Sequence, residues 1–444
     1  MSLPELPDST RLRHAIRELP LITCRGVVEE VIGITIKGIG IPAAVGELCD
    51  IERPGGGTLA AEVIGFAGDR TVLMPFGPMH GIRPGAVVRP RFSPLRITVG
   101  DFLLGRVLDG FGRPLDDGPP IPAAASRVSI ERDAPRPLER QSISKVFETQ
   151  ISAIDGLLTC GRGQRVGIFA GSGVGKSTLL GQIARQATAD VAVIALVGER
   201  GREVGDFIHE SLGVEGLKRS VLVVATSDRS PLERFKACFV ATAVAEYFRD
   251  SGKDVLLMMD SVTRLAMASR EIGLALGEPP TSRGYPPSFF AMLPRLFERL
   301  GNTSHGSITG LFTVLVEGDD TEEPVSDTVR SLLDGHLVLS RELAQRQVFP
   351  AIDVLQSVSR TMGQVVPPEH VHSAAVLREL LALYKSNEDL VRIGMYQRGT
   401  DPLVDRAIDQ RDDLLTFVRQ APHEARSFED TLTALHHLAR RGQG

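Results

Sequence analysis

Cysteine is scarce in this chain, and the spacing pairs none of it. Cys24, Cys49, Cys160 and Cys238 are the only four. None sits in a C-x-x-C pair, and no His/Cys cluster has zinc spacing. That argues against a zinc module and for the reduced thiols of a cytosolic protein. Long apolar runs are also missing. Val191–Val197 and Val255–Met259 are strand-length, far short of the roughly 20 residues of a membrane span. The first residues, Met1 to Asp8, lack a basic region followed by an apolar run, so no signal peptide is expected. Charge of one sign is not in excess. Fifty Lys and Arg face 55 Asp and Glu, a formal net charge of −5. That balance gives no electrostatic argument for nucleic acid as the main partner. The expectation is a soluble cytoplasmic protein, with docking on a membrane complex left open. Its 444 residues suggest two or three domains, and 42% hydrophobic residues suffice for a substantial core.

What is present centres on residues 170–178, Ala170-Gly171-Ser172-Gly173-Val174-Gly175-Lys176-Ser177-Thr178. The apolar run Val166–Phe169 leads in as a strand, and Leu179–Ala184 leads out with a helical pattern. Strand, glycine loop, Gly-Lys-Ser and helix make a phosphate-binding P-loop. Glycines let successive backbone N–H groups turn inward around phosphates, and the helix N-terminus adds partial positive charge there. Lys176 is expected on the β- and γ-phosphates, and the Ser177 hydroxyl on Mg²⁺. Ala170 stands where the strict pattern has its first glycine, the smallest change available at that position.

Taken in order, residues 1–20 read as a polar lead in which Arg11–Leu19 has helical spacing. Residues 21–93 carry short β-rich runs at 26–31, 34–36, 61–66 and 71–74, separated by glycine and proline turns such as Pro54-Gly55-Gly56-Gly57. That spacing predicts a small β-barrel that assembles subunits. Residues 94–145 are a transition, with strand and turn signals at 105–116 and then an extended, proline-rich crossover. From 146 to about 365, strands alternate with helices. The expected strands are Val166–Phe169, Val191–Val197, Val221–Ala225, Val255–Asp260 and Ile308–Val316. The expected helices include Pro231–Asp250, whose Phe235, Phe239, Val240, Ala243, Val244 and Phe248 read as core. This alternation implies an α/β domain with a parallel sheet covered on both faces. Residues 366–444 read as a C-terminal helical domain, with helices near 371–385, 402–420 and 427–440.

Two more stretches carry chemistry by position. Asp254-Val255-Leu256-Leu257-Met258-Met259-Asp260 is a buried strand ending in a carboxylate, the Walker B pattern, and Asp260 is expected to hold Mg²⁺ through water. Val197-Gly198-Glu199-Arg200 follows another apolar strand. Such strands end at the ligand edge of the sheet, which sets Glu199 near the γ-phosphate, where a carboxylate can orient and polarise a water. A surface-loop glutamate is the plain alternative. A fourth stretch, Pro350 to Arg360, shows no chemistry in its own spacing. Arg360 matters only if it reaches a phosphate, and from a neighbouring subunit it would stabilise transition-state charge.

Together these stretches resemble the hexameric ATPase family of rotary α/β subunits and type III secretion ATPases. Pro350-Ala351-Ile352-Asp353 with Ser357 and Ser359 fits that family's signature, and the similarity runs from about Gly26 to about Gln420. The secretion branch fits best, on residues 170–177, Asp260–Arg264, Gly277–Ser288, Val316–Asp320, Leu333–His336 and Gln397–Asp405. Ser177 stands where rotary catalytic subunits typically carry threonine, and their acidic C-terminal turn is not found. The resemblance implies a P-loop central domain between an N-terminal barrel and a C-terminal helical domain, assembled as a homohexamer with nucleotide at each subunit interface. It implies Glu199 as the catalytic glutamate, Arg200 as the arginine beside it and Arg360 as an arginine finger acting in trans. It implies Mg-ATP hydrolysis that strips chaperones from export substrates and unfolds them at an inner-membrane export apparatus. A stator-like regulator and a coiled-coil stalk protein are the implied partners. Rotary subunits pack adenine between C-terminal aromatics, whereas this chain has Val371 and Ala421-Pro422-His423 near those places. A rotary catalytic subunit remains the alternative within the fold. A non-hydrolysing structural subunit would carry glutamine at position 199, and an RNA translocase would call for an RNA-binding module.

Overall fold

The computed structural model describes residues 24–316 and 323–441. The expected helix within 1–20 and most of the Val316–Asp320 stretch lie outside the described residues. The chain divides into two compact units, Met1–Leu95 and Arg96–Gly444.

In the first unit six strands close a barrel in the order β1-β2-β5-β4-β3-β6. These are β1 (Gly26–Ile32), β2 (Thr35–Ile39), β3 (Glu47–Glu52), β4 (Thr58–Ala67), β5 (Arg70–Pro75) and β6 (Val87–Pro94). All pairings are antiparallel. Alternate residues point inward, so Val28, Ile36, Cys49, Ile51, Val63, Leu73 and Val88 form its core.

The second unit is built on a ten-stranded sheet whose main path runs β14-β13-β8-β12-β11-β9-β10-β7. The strands are β7 (Val107–Asp109), β8 (Arg165–Ala170), β9 (Val191–Val197), β10 (Ser220–Ala225), β11 (Asp254–Asp260), β12 (Ser307–Leu315), β13 (Gly335–Leu339) and β14 (Val358–Ser359). Every pairing on this path is parallel except β13 with β14. β9 and β10 are buried at every residue, as strands covered on both faces must be. The transition segment adds an edge strand, because β7 pairs in parallel with β10.

Helices α1 (Lys176–Gln186), α2 (Gly201–Asp206), α3 (Pro231–Asp250) and α4 (Val262–Ala275) belong to the sheet layer. α3 starts where the Ser230 hydroxyl accepts from Glu233 N, with Pro231 in the first turn. Its deep face is Val240, Ala243, Val244 and Phe248. Phe235 and Phe239, expected in the core, are only half-buried and stack on each other at 5.1 Å. The C-terminal helices are α5 (Pro368–Arg392), α6 (Pro402–Asp409), α7 (Arg411–Val418) and α8 (Phe428–Arg440). The helix expected over 402–420 is therefore two, broken at Gln410. One hydrophobic cluster joins Ile168, Ile194 and Met258 of the sheet to Leu377, Phe417 and Leu435 of these helices. Among the described residues, no helix is long and apolar enough to cross a membrane.

Candidate active site

β8 delivers the chain to the P-loop at the C-terminal edge of the sheet, and α1 leaves it. The turn needs left-handed backbone at Gly173 (φ 78) and Gly175 (φ 88), which glycine adopts without strain. Ala170, Gly171, Ser172, Gly173, Gly175, Lys176, Ser177 and Thr178 line an open cavity of about 830 Å³. Val174 does not line it. Its side chain is 2% exposed and packs in the core, so only its backbone can serve the loop.

The cavity floor is a charge cluster. The Lys176 ammonium sits 2.5 Å from Asp260 Oδ1 and 3.5 Å from Glu199 Oε1. Thr313 Oγ1 donates to the same Asp260 oxygen at 2.6 Å. Burial opposes the charge on Lys176, yet the two carboxylates outweigh it and hold its pKa above the ordinary value. Burial also pushes Glu199 up to about 7, against the pull of Lys176 and helped by the nearby Asp260 and Glu203 charges. Glu199 shares a side-chain hydrogen bond with Glu203, and that bond lowers Glu203. A half-buried glutamate poised near neutrality is suited to proton and water handling. Ser177, Glu199, Glu203 and Asp260 share one small pocket, a set of hard oxygen donors of the kind Mg²⁺ prefers.

Arg200 lies on the cavity rim with its side chain 83% exposed, 3.8 Å from Glu203. Arg360 lies elsewhere. It follows β14, its N–H donates to Asp334 O at 3.0 Å, and Asp334 in turn pairs with Arg165 at the start of β8. The P-loop is at the other end of β8. Six residues of strand at ~3.3 Å each put roughly 20 Å between them. Arg360 is exposed, and among the described residues its guanidinium has no hydrogen-bond or ion-pair partner.

Two residues escaped sequence reasoning. Arg264, on α4, lines the cavity, and its Nε is buried without a partner. Its Nη1 meets only the weak acceptor Met267 Sδ, at 3.5 Å. A half-buried guanidinium so poorly matched, facing a cavity, is suited to meet an anion there. Phe349 is the other, a ring 36% exposed beside the P-loop. A Cβ placed on Gly175 would lie 3.4 Å from the Phe349 ring. Phe349 O accepts from Gln420 N at 2.9 Å, and α1 grips the following loop: Arg185 Nη2 donates to Pro422 O and Gln182 Nε2 to Glu424 O. So the 420–424 stretch does approach the P-loop helix, whereas Val371 lines no part of this cavity. The signal for Phe349 was an aromatic directly before Pro350 of the signature.

Comparison with known proteins accords with this geometry. Residues 28–91 match the ATP synthase alpha/beta family, beta-barrel domain, and residues 150–359 its nucleotide-binding domain. Residues 366–437 match the T3SS EscN ATPase C-terminal domain. The chain belongs to the type III secretion and flagellar export ATPases. The flagellum-specific ATP synthase of Bacillus subtilis is 52% identical over 92% of this export ATPase and 94% of its own length. The type 3 secretion system ATPase of Xanthomonas euvesicatoria is 50% identical over 96% of each chain. The structure of assembled EscN from enteropathogenic E. coli, in complex with its central stalk EscO, has a TM-score of 0.86 and 47% identity. It covers 93% of this chain and 100% of that one. The export ATPase is thus an ATP-hydrolysing enzyme of that family.

Proposed function

We propose that this ATPase works as a homohexamer in a type III export apparatus. There it hydrolyses Mg-ATP to release chaperones from export substrates and unfold them. A coiled-coil stalk protein is one partner, by likeness to EscN and EscO. A stator-like regulator at the cytoplasmic face of the inner membrane is another.

The observation that carries the reading is the Lys176–Asp260–Glu199 cluster under the P-loop, with Arg360 at the far edge of the same sheet. In the site, the backbone of 171–176 cradles the phosphates and Lys176 neutralises them. Ser177 and Asp260 hold Mg²⁺, which when bound offsets phosphate charge. Glu199 orients the attacking water, with Glu203 sharing its proton. Arg264 hydrogen-bonds the γ-phosphate oxygens as the phosphoryl group passes to water, and Arg200 stands at the rim. The purine base stacks on Phe349. Arg360 acts on the nucleotide of the adjacent subunit, where it stabilises the spreading negative charge of the transition state.

Glu199→Gln tests the base assignment. It should bind ATP as the parent does and lose turnover, and near-parental turnover would remove Glu199 from that role. Arg360→Ala should bind ATP and turn over slowly. Mixing it with Lys176→Ala protein should restore activity in part, since each supplies what the other lacks. The absence of any rescue would refute action in trans.

A further inference from the structure

Gln164 is a fully buried amide, 0% exposed, at the residue before β8. A glutamine side chain can donate two hydrogen bonds and accept two, and this one makes all four. Nε2 donates to Asp334 O at 3.1 Å and to Ser359 Oγ at 3.3 Å. Oε1 accepts from Gly161 N at 2.8 Å and from Thr361 Oγ1 at 2.6 Å. The backbone partners fix which way the amide faces, because Asp334 O can only accept and Gly161 N can only donate.

The partners bracket one residue. Ser359 and Thr361 stand on either side of Arg360, and Asp334 O also accepts the Arg360 N–H at 3.0 Å. Gln164 is itself anchored in the sheet, where its carbonyl accepts from Gly310 N of β12 at 2.9 Å. Asp334 is anchored too, forked by Arg165 Nε at 3.0 Å and Nη2 at 3.1 Å. Close packing holds the assembly shut. A Cβ on Gly335 would lie 2.5 Å from Val358 O and 3.1 Å from Gln164 Nε2, so any side chain there would wedge β14 and the amide apart.

We propose that Gln164 is a positioning residue for catalysis in the neighbouring subunit: it clamps both flanks of Arg360 and aims that side chain outward from the sheet edge. The proposal rests on the reading of Arg360 as the trans-acting arginine. A purely structural buried glutamine would make different demands, since its loss would injure its own subunit's nucleotide site as much as its neighbour's.

The test uses full-length Gln164→Leu, which keeps the volume and removes all four hydrogen bonds, beside Thr361→Val, which removes one. Gln164→Leu should bind ATP with parental affinity and lose kcat by roughly 100-fold, the scale of a 1 Å misplacement of a catalytic group. Thr361→Val should lose less, again in kcat alone. Mixing Gln164→Leu with Lys176→Ala should restore turnover, because the Lys176→Ala subunit presents a correctly held Arg360 to an intact P-loop. The double variant Gln164→Leu/Arg360→Ala should be no slower than Arg360→Ala. Parental kcat in Gln164→Leu overturns the proposal. So does weakened ATP binding that Lys176→Ala cannot rescue, or additive losses in the double variant. If Gln164→Leu fails to fold, Thr361→Val decides, and parental kcat there overturns the idea. Arg360→Ala runs alongside. Full turnover in it refutes the trans arginine itself, whereas a slow Arg360→Ala with a fast Gln164→Leu refutes only the clamp.

Discussion

Glu199 is held between opposing demands. Burial and the charges of Asp260 and Glu203 favour its proton, Lys176 opposes it, and the balance puts it at about 7. The acidic limb of kcat/KM, which reports the free enzyme, should therefore fall near neutrality. Glu203→Gln removes the carboxylate that shares the proton, so Glu199 ionises more readily and the limb should move to lower pH. A limb that stays in place would show that Glu203 does not touch this titration. Stability follows the same group. Its folded pKa lies above the unfolded value of 4.5, so between about 4.5 and 7 the folded chain holds more protons than the unfolded one. Stability then declines as pH rises through that window, and the deficit persists above it. Glu199→Gln should melt with the parent at low pH and above it at pH 8, as thermal unfolding across pH would read. Parallel curves would contradict the shift.

At the scale of elements, most of what positions the phosphate site was legible. The strand expected at 166–169 is β8 with one residue added at each end, that at 191–197 is β9, and that at 255–260 is β11 with one residue added. Buried parallel strands read as short, continuous apolar runs, set apart from buried helix by their length and their β-branched residues. β13 and the edge strand β7 carry weaker patterns, because a short strand near a sheet margin need not be apolar at every residue. The surroundings of Phe349 beside the P-loop were illegible for a different reason. Phe349, Gln420 and Arg185 come from separate segments, and their meeting is a product of packing with no period to reveal it. Phe349→Ala should raise KM for ATP by about tenfold, the loss of one aromatic stack of ~1 kcal/mol or slightly more, and leave kcat nearly parental. An unchanged KM would move the base elsewhere.

The second unit as a whole sets the P-loop and Arg360 on two different edges of its sheet. The P-loop, Glu199 and Asp260 open at the C-terminal edge, and Arg360 stands exposed roughly 20 Å away at the other, by the rise of β8. No movement of a side chain bridges that gap within one copy. A contact that joins one edge to the different edge of the next copy is heterologous, and repeated it closes into a ring when the rotation allows. The lone chain should then be a poor enzyme that improves by self-association. Specific ATPase activity of the purified protein, measured across a wide range of concentration, should climb cooperatively and level off once assembly is complete, in step with the mass seen by light scattering. Full activity at the highest dilution, with the protein monomeric, would mean that one copy suffices and Arg360 has no part in turnover. Activity near zero at every concentration despite ATP binding would mean that a different protein supplies the missing half, as a rotary catalytic subunit requires.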